Sequence, residues 1–213
     1  MTELQPLPDT DLARAARTYL SEIAVEPLIN HSLRSYLFAA HVARAQGLQP
    51  GVDFDDELVF LSCALHDIGL TAEGNGEQRF EVDGADLAVR FLRDRGLSAD
   101  RAEVVWDAIA LHTSPGIADR KAPEVALSFY GISMDIFGFG AEQLPREVHE
   151  LVHAGRPRLD LAREMAEIIV AQSVGKPGKT PPFSFPAAVV DQHVPDAGMP
   201  TYEHLVRSGP WGS

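Results

Sequence analysis

Cysteine occurs once in this 213-residue chain, as Cys63. No internal disulfide can form, and nothing in the sequence calls for an oxidising compartment. Cations are scarce as well: 18 Lys and Arg stand against 31 Asp and Glu, for a formal net charge of -13, and the only lysines are Lys121, Lys176 and Lys179. Nucleic acids and anionic lipid surfaces are bound through basic patches, so neither is an expected partner. The chain has no apolar run of the roughly 18–20 residues that span a bilayer. Its opening, MTELQPLPDTDLARAA, lacks the basic start and apolar stretch of a secretory signal. The expected setting is cytoplasmic.

Alternating strand patterns and long internal repeats are absent too, and helical periodicity takes their place. Helices are expected over 9–25, 28–46, about 55–69, 82–95, 99–112, 123–137, 145–154 and 159–174, giving an all-α, bundle-like domain. Asp9, Thr10, Asp55 and Ser98 are N-cap candidates, Pro123 suits a first helical turn, and Gly47, Gly69 and Gly96 suit helix ends. Residues 71–80, TAEGNGEQRF, read as a flexible loop. From Gly175 onward the chain carries seven prolines and reads as an extended arm or a partly disordered tail.

Two motifs compete for the chemistry. His149-Glu150-Leu151-Val152-His153 has the spacing that places two imidazoles on one helix face. The metzincin continuation needs glycine and histidine where this chain has Arg156 and Leu159, and Gly155 and Pro157 separate the motif from Glu164 and Glu167. A solvated surface pair is the expected role of these histidines. The second motif, His66-Asp67, ends an apolar run from Phe60 to Gly69. Burying an imidazole beside a carboxylate is costly without partners, and a divalent cation is one partner that suits both. Adjacent helical residues point about 100° apart, so both reach one ion only where a helix ends. His31 and Asp135, each on a largely apolar stretch, are the candidate ligands from other helices. Helix capping and an ordinary buried hydrogen bond are the competing roles for all four.

The order His31, His66-Asp67, Asp135 resembles that of the HD-domain metallohydrolases. The segments Asn30–Tyr36, Leu65–Leu70, Arg79–Ala85 and Val105–Ser114 are similar to the cyanamide hydratase branch of that superfamily. The resemblance implies an HD-domain helical bundle over 1–175, with its core in 25–175, and a Pro-rich C-terminal extension over 176–213. It implies one divalent metal ion, zinc first with iron or manganese as alternatives, and addition of water to a small nitrile-type substrate such as cyanamide, giving urea. The alternative is an HD-type phosphohydrolase acting on a nucleotide or other phosphomonoester.

On this reading the metal ligands are His31, His66, Asp67 and Asp135, and Asp67 also orients the attacking water. His112 is the candidate general acid, Thr113 a substrate hydrogen-bonding group, and Glu81 or Asp83 an aid to proton transfer. Asn30, Arg34 and Arg79 are candidate substrate-binding residues, with loop 71–80 as a lid. So few nearby cations suit a small neutral substrate better than a phosphate ester. A homodimer formed through the tail is a further expectation.

Overall fold

The computed structural model describes residues 4–195 and 197–211. Among these residues there are ten α-helices and no β-strand beyond one isolated bridge between Pro50 and Phe54. The helices are α1 Asp11–Ile23, α2 Glu26–Ala45, α3 Asp56–Leu65, α4 Phe80–Arg93, α5 Ala99–Leu111, α6 Pro123–Phe137, α7 Arg146–Gly155, α8 Leu161–Ser173, α9 Phe185–His193 and α10 Tyr202–Ser208. The fold is all-α, and none of its described helices is long and apolar enough to cross a membrane.

Local chemistry starts these helices where the sequence places their caps. The Thr10 hydroxyl accepts the Ala13 amide and the Asp55 carboxylate accepts the Leu58 amide, each satisfying an orphan donor of a first turn. Pro27 and Pro123 lie in first turns, where the missing N–H costs nothing. Helix α3 is buried from Leu58 to Leu65 and packs against α1, α2, α5 and α6, as its all-round apolarity requires. The most extensive helix pair is α2 with α6. A Cβ at Gly131 would meet the Ser35 carbonyl oxygen at 2.2 Å, so glycine permits this close approach.

Helix α3 stops earlier than the sequence suggests, at Leu65. His66 is its C-cap, Asp67 leaves the helix at φ -103° and ψ 10°, and a 3₁₀ turn covers Ile68–Leu70. Gly69 serves a different purpose from the expected helix stop. A Cβ there would sit 1.9 Å from the Phe80 carbonyl oxygen, so it lets the turn carrying Asp67 press against α4.

Two expectations need correction. Residues 71–80 are not free to move as a lid. Thr71 Oγ1 donates to the Ile68 carbonyl at 2.7 Å, and Lys176 Nζ donates to the carbonyls of Asn75 and Gly76 at 3.2 and 3.1 Å. The Pro-rich tail also contains helix: Ser184 caps α9, Pro186 occupies its first turn, and Ala187 and Val190 are buried. Proline starts this helix instead of breaking it, because the apolar face behind it has α8 to pack against. Leu28, Leu70, Phe80, Leu161, Met165, Ile169 and Val190 form one apolar cluster that joins the tail to the rest of the molecule.

Candidate metal centre

Four side chains converge in the interior. His31 comes from α2, His66 and Asp67 from the end of α3, and His112 from the end of α5; all are buried. His66 and His112 are built alike. Each is the C-cap of its helix, and each places Nδ1 on the carbonyl three residues back, Cys63 at 2.8 Å and Ile109 at 2.6 Å. Because a carbonyl can only accept, both rings carry their proton on Nδ1 and present a bare Nε2. His31 reaches the same state through Nδ1–H donation to Asp135 Oδ2 at 2.6 Å.

Those bare nitrogens face one another. His31 Nε2 and His66 Nε2 are 3.1 Å apart. Asp67 Oδ2 lies 3.1 Å from His66 Nε2 and 3.7 Å from His31 Nε2, while Asp67 Oδ1 lies 3.7 Å from His112 Nε2. Asp67 Oδ2 is buried and has no hydrogen-bond partner. Three nitrogen lone pairs and a carboxylate thus converge with no proton donor among them, an arrangement that demands positive charge. The ligand atoms of His31, His66 and Asp67 all lie within 4.8 Å of one another.

The pKa shifts show the same demand. Burial pushes His31 down and takes His112 down to about 4, with His66 adding to the latter effect. Burial also opposes charge on His66, but the neighbouring Asp67 carboxylate outweighs it and draws that imidazole up. Burial would raise Asp67, yet the facing His66, followed by His31 and His112, holds it well below the usual carboxylate range. Without a metal, a proton on His66 supplies the charge; a divalent cation takes its place.

Asp135 is not part of this inward-facing set. Expected as a fourth ligand, it lies on the far side of the His31 ring. The Arg34 guanidinium grips it with two donors, Nε to Oδ1 and Nη2 to Oδ2, both at 2.7 Å. Burial would raise its pKa, but hydrogen bonds from His31 and Arg34 lower it well below the usual range. It therefore orients His31 and sets its tautomer. Arg34 is fully buried and spends its remaining donor on the Arg156 and Pro157 carbonyls at 3.0 and 3.1 Å. The Asn30 amide donates to the same Pro157 carbonyl at 3.1 Å. Both residues brace the site from behind instead of facing a substrate.

Glu81, Arg79 and Thr113 form a second group beside the cluster. Arg79 Nε donates to Glu81 Oε2 at 3.0 Å, and Arg79 Nη2 donates to Glu81 Oε1 and, at 2.9 Å, to Thr113 Oγ1. Thr113 gives its only proton to Glu81 Oε1 at 2.7 Å. Its remaining lone pair faces the cavity, so Thr113 meets a bound molecule as an acceptor. Asp83 is elsewhere: its carboxylate pairs with the buried Lys179 at 2.6 Å and accepts the Gln78 amide at 3.3 Å. That is an anchoring role for the tail, not a reacting one.

The space next to the cluster is about 20 Å³ and is walled by Phe80, Thr113, Ser133, Ile136, Phe137, Met165 and Phe185. A larger groove of about 580 Å³ lies along the neighbouring face of α6 and shares Ser133 with it, but contains none of the cluster. Chemistry therefore places the site in the smaller space. The sequence does hold a signal for His112 that is easily overlooked: Ala64-Leu65-His66-Asp67 and Ala110-Leu111-His112-Thr113 are near repeats that build the same helix end twice. The apolar walls carry no comparable signal. His149 and His153 lie outside the site on α7, with His149 exposed and its ring 4.3 Å from that of His153.

An all-helical domain with a buried His-His-Asp centre is a divalent-metal protein in its architecture. The chain belongs to the HD domain family, which matches residues 28–168. HD domains bind divalent metals, and His31, His66 and Asp67 are suited to that role here. The chain is 32% identical over 110 residues to the cyanamide hydratases DDI2 and DDI3 of Saccharomyces cerevisiae, covering 50% of this chain and 48% of each of them. It is 22% identical over 100 residues to an uncharacterized protein of Clostridium beijerinckii, covering 47% of this chain and 60% of that one. The chain thus spans about half the length of the yeast relatives it matches.

Proposed function

We propose that this protein is a metal-dependent hydratase that adds water across the carbon–nitrogen triple bond of a small, uncharged nitrile-type substrate such as cyanamide, giving urea. The observation that carries this reading is the convergence of three bare imidazole nitrogens and Asp67 on one small cavity that no free cation lines. His31, His66 and Asp67 would hold the ion, with zinc as the first candidate. When bound, such an ion lowers the pKa of water and polarises the group under attack.

The chain's own residues supply the rest. His112 Nε2, unprotonated and facing Asp67, accepts a proton from the attacking water. This reverses its expected part as the initial acid. Once protonated, the same atom returns the proton to the nitrile nitrogen, so a single imidazole balances the step. Thr113 Oγ1 accepts a hydrogen bond from the substrate amino group, with Glu81 fixing its orientation. The apolar walls keep bulk water from competing.

A phosphomonoesterase is the weaker alternative. Phosphate esters need cations beyond the metal. Arg34 and Arg79, the nearby cations, are committed to Asp135 and Glu81.

The deciding experiment is metal analysis of the purified protein, followed by parallel assays for urea from cyanamide and phosphate from generic phosphomonoesters. Urea formation that disappears on chelation and returns with a divalent metal is expected. Phosphate release without urea overturns the proposal.

A further inference from the structure

The cavity at the metal centre is too small for most metabolites, and a residue of the C-terminal segment helps make it so. Phe185, the first residue of α9, lies over the cluster's open side. Its ring centroid is 6.3 Å from that of Phe80, at 65°, and 6.3 Å from that of Phe137, at 76°. Phe80 in turn lies 5.6 Å from the His112 ring, and Phe137 stacks on Phe139 at 5.3 Å. These edge-to-face contacts form a continuous aromatic row from the cluster out to solvent, where Phe137 is 54% exposed. The space they leave, about 20 Å³, is on the scale of one water molecule.

The position of Phe185 is clamped from both sides. Upstream, Lys179 is buried and paired with Asp83 on α4 at 2.6 Å, and the chain enters α9 through Phe183 at φ 65°. That backbone conformation is unfavourable for a bulky side chain, so it persists only where surrounding structure imposes it. Downstream, Pro186, Ala187 and Val190 are buried.

We infer that Phe185 and Phe137 form an aromatic size filter over the metal centre, admitting rod-shaped, uncharged molecules about the width of a nitrile and excluding branched or N-substituted ones. The substrate side of this inference rests on the hydratase reading; the filter itself does not. A nitrile group is linear and two atoms long, so it passes edge-on between two rings where a planar ester or phosphate does not. Phe185 is thus a specificity residue contributed by the segment that follows the helices carrying the ligands.

Two readouts test it in wild type, Phe185→Ala, Phe137→Ala and Phe183→Ala, with folding checked by circular dichroism. The first is diethyl pyrocarbonate labelling of metal-stripped protein, read per histidine by mass spectrometry. The ratio of label on His31, His66 and His112 to label on exposed His204 should rise severalfold in Phe185→Ala and Phe137→Ala and stay at the wild-type level in Phe183→Ala. Phe137 is more than half exposed, so its variant answers the question even if Phe185→Ala loses α9. An unchanged ratio in both variants, or a wild-type ratio already near one, overturns the filter. The second readout is the kcat/KM of dimethylcyanamide relative to cyanamide, which should rise in the two filter variants. If wild type makes no urea, the hydratase reading fails while the labelling ratio still decides the filter.

Discussion

Asp135 lies 2.6 Å from Nδ1 of His31, on the side of the ring that faces away from His66. One imidazole therefore divides its two nitrogens between a carboxylate that orients it and a centre that needs a cation. Arg34 holds that carboxylate from a third direction, so a buried chain of Arg34, Asp135 and His31 leads into the site.

This arrangement separates ligands from supports. His31→Ala, His66→Ala and Asp67→Ala should each leave the purified protein without bound metal, measured by plasma mass spectrometry. Asp135→Asn should keep the metal but weaken it by about 10–100-fold, the range seen when a residue orienting a ligand is lost. Complete loss in Asp135→Asn, matching His66→Ala, would show that Asp135 is itself a ligand.

The Arg34–Asp135 pair should matter to stability beyond its own attraction. Arg34→Ala leaves a buried carboxylate without its guanidinium, which costs about 3–5 kcal/mol. Arg34→Lys should recover only part of this, because an ammonium cannot make the same two-pronged contact. Urea unfolding of the three proteins measures the difference, and a loss in Arg34→Ala as small as that of an exposed ion pair would contradict the burial argument.

Metal affinity should depend on pH in a definite direction. Burial opposes protonation of His66, but Asp67 raises its pKa above the ordinary 6.5 in the metal-free state. Binding must expel that proton, so affinity is full above the raised pKa and falls as pH drops through it. The decline should begin on the alkaline side of 6.5. Calorimetry in buffers of different ionisation enthalpy should find close to one proton released per ion at neutral pH, and none released would refute the assignment.

Cys63 should be inert while the protein is folded. The thiol is fully buried, and burial pushes its pKa up to about 12. At pH 8 it stays a thiol, and thiols alkylate slowly compared with thiolates. Iodoacetamide should label it only after denaturant is added. Rapid labelling of the native protein, followed by intact mass, would mean that α3 opens on the timescale of the reaction.

The lesson about legibility follows from which of these features are local. Thr10, Asp55, Pro27 and Pro123 start helices through bonds made within a turn, so the sequence carries them directly. The His66-Asp67 pair was legible for a related reason: a charged pair ending an apolar helix needs a partner wherever that helix is buried. What the sequence cannot carry is which partner arrives, and from which side. Asp135 meets His31 and not the ion's space because α2 and α6 cross so closely at Gly131. Phe185 reaches the cluster because α8 offers α9 a face on which prolines can begin a helix. Side-chain chemistry determined that a cation centre was needed, while packing between helices decided who faces it, who braces it and how little room remains, because those depend on distances between segments that no local pattern encodes.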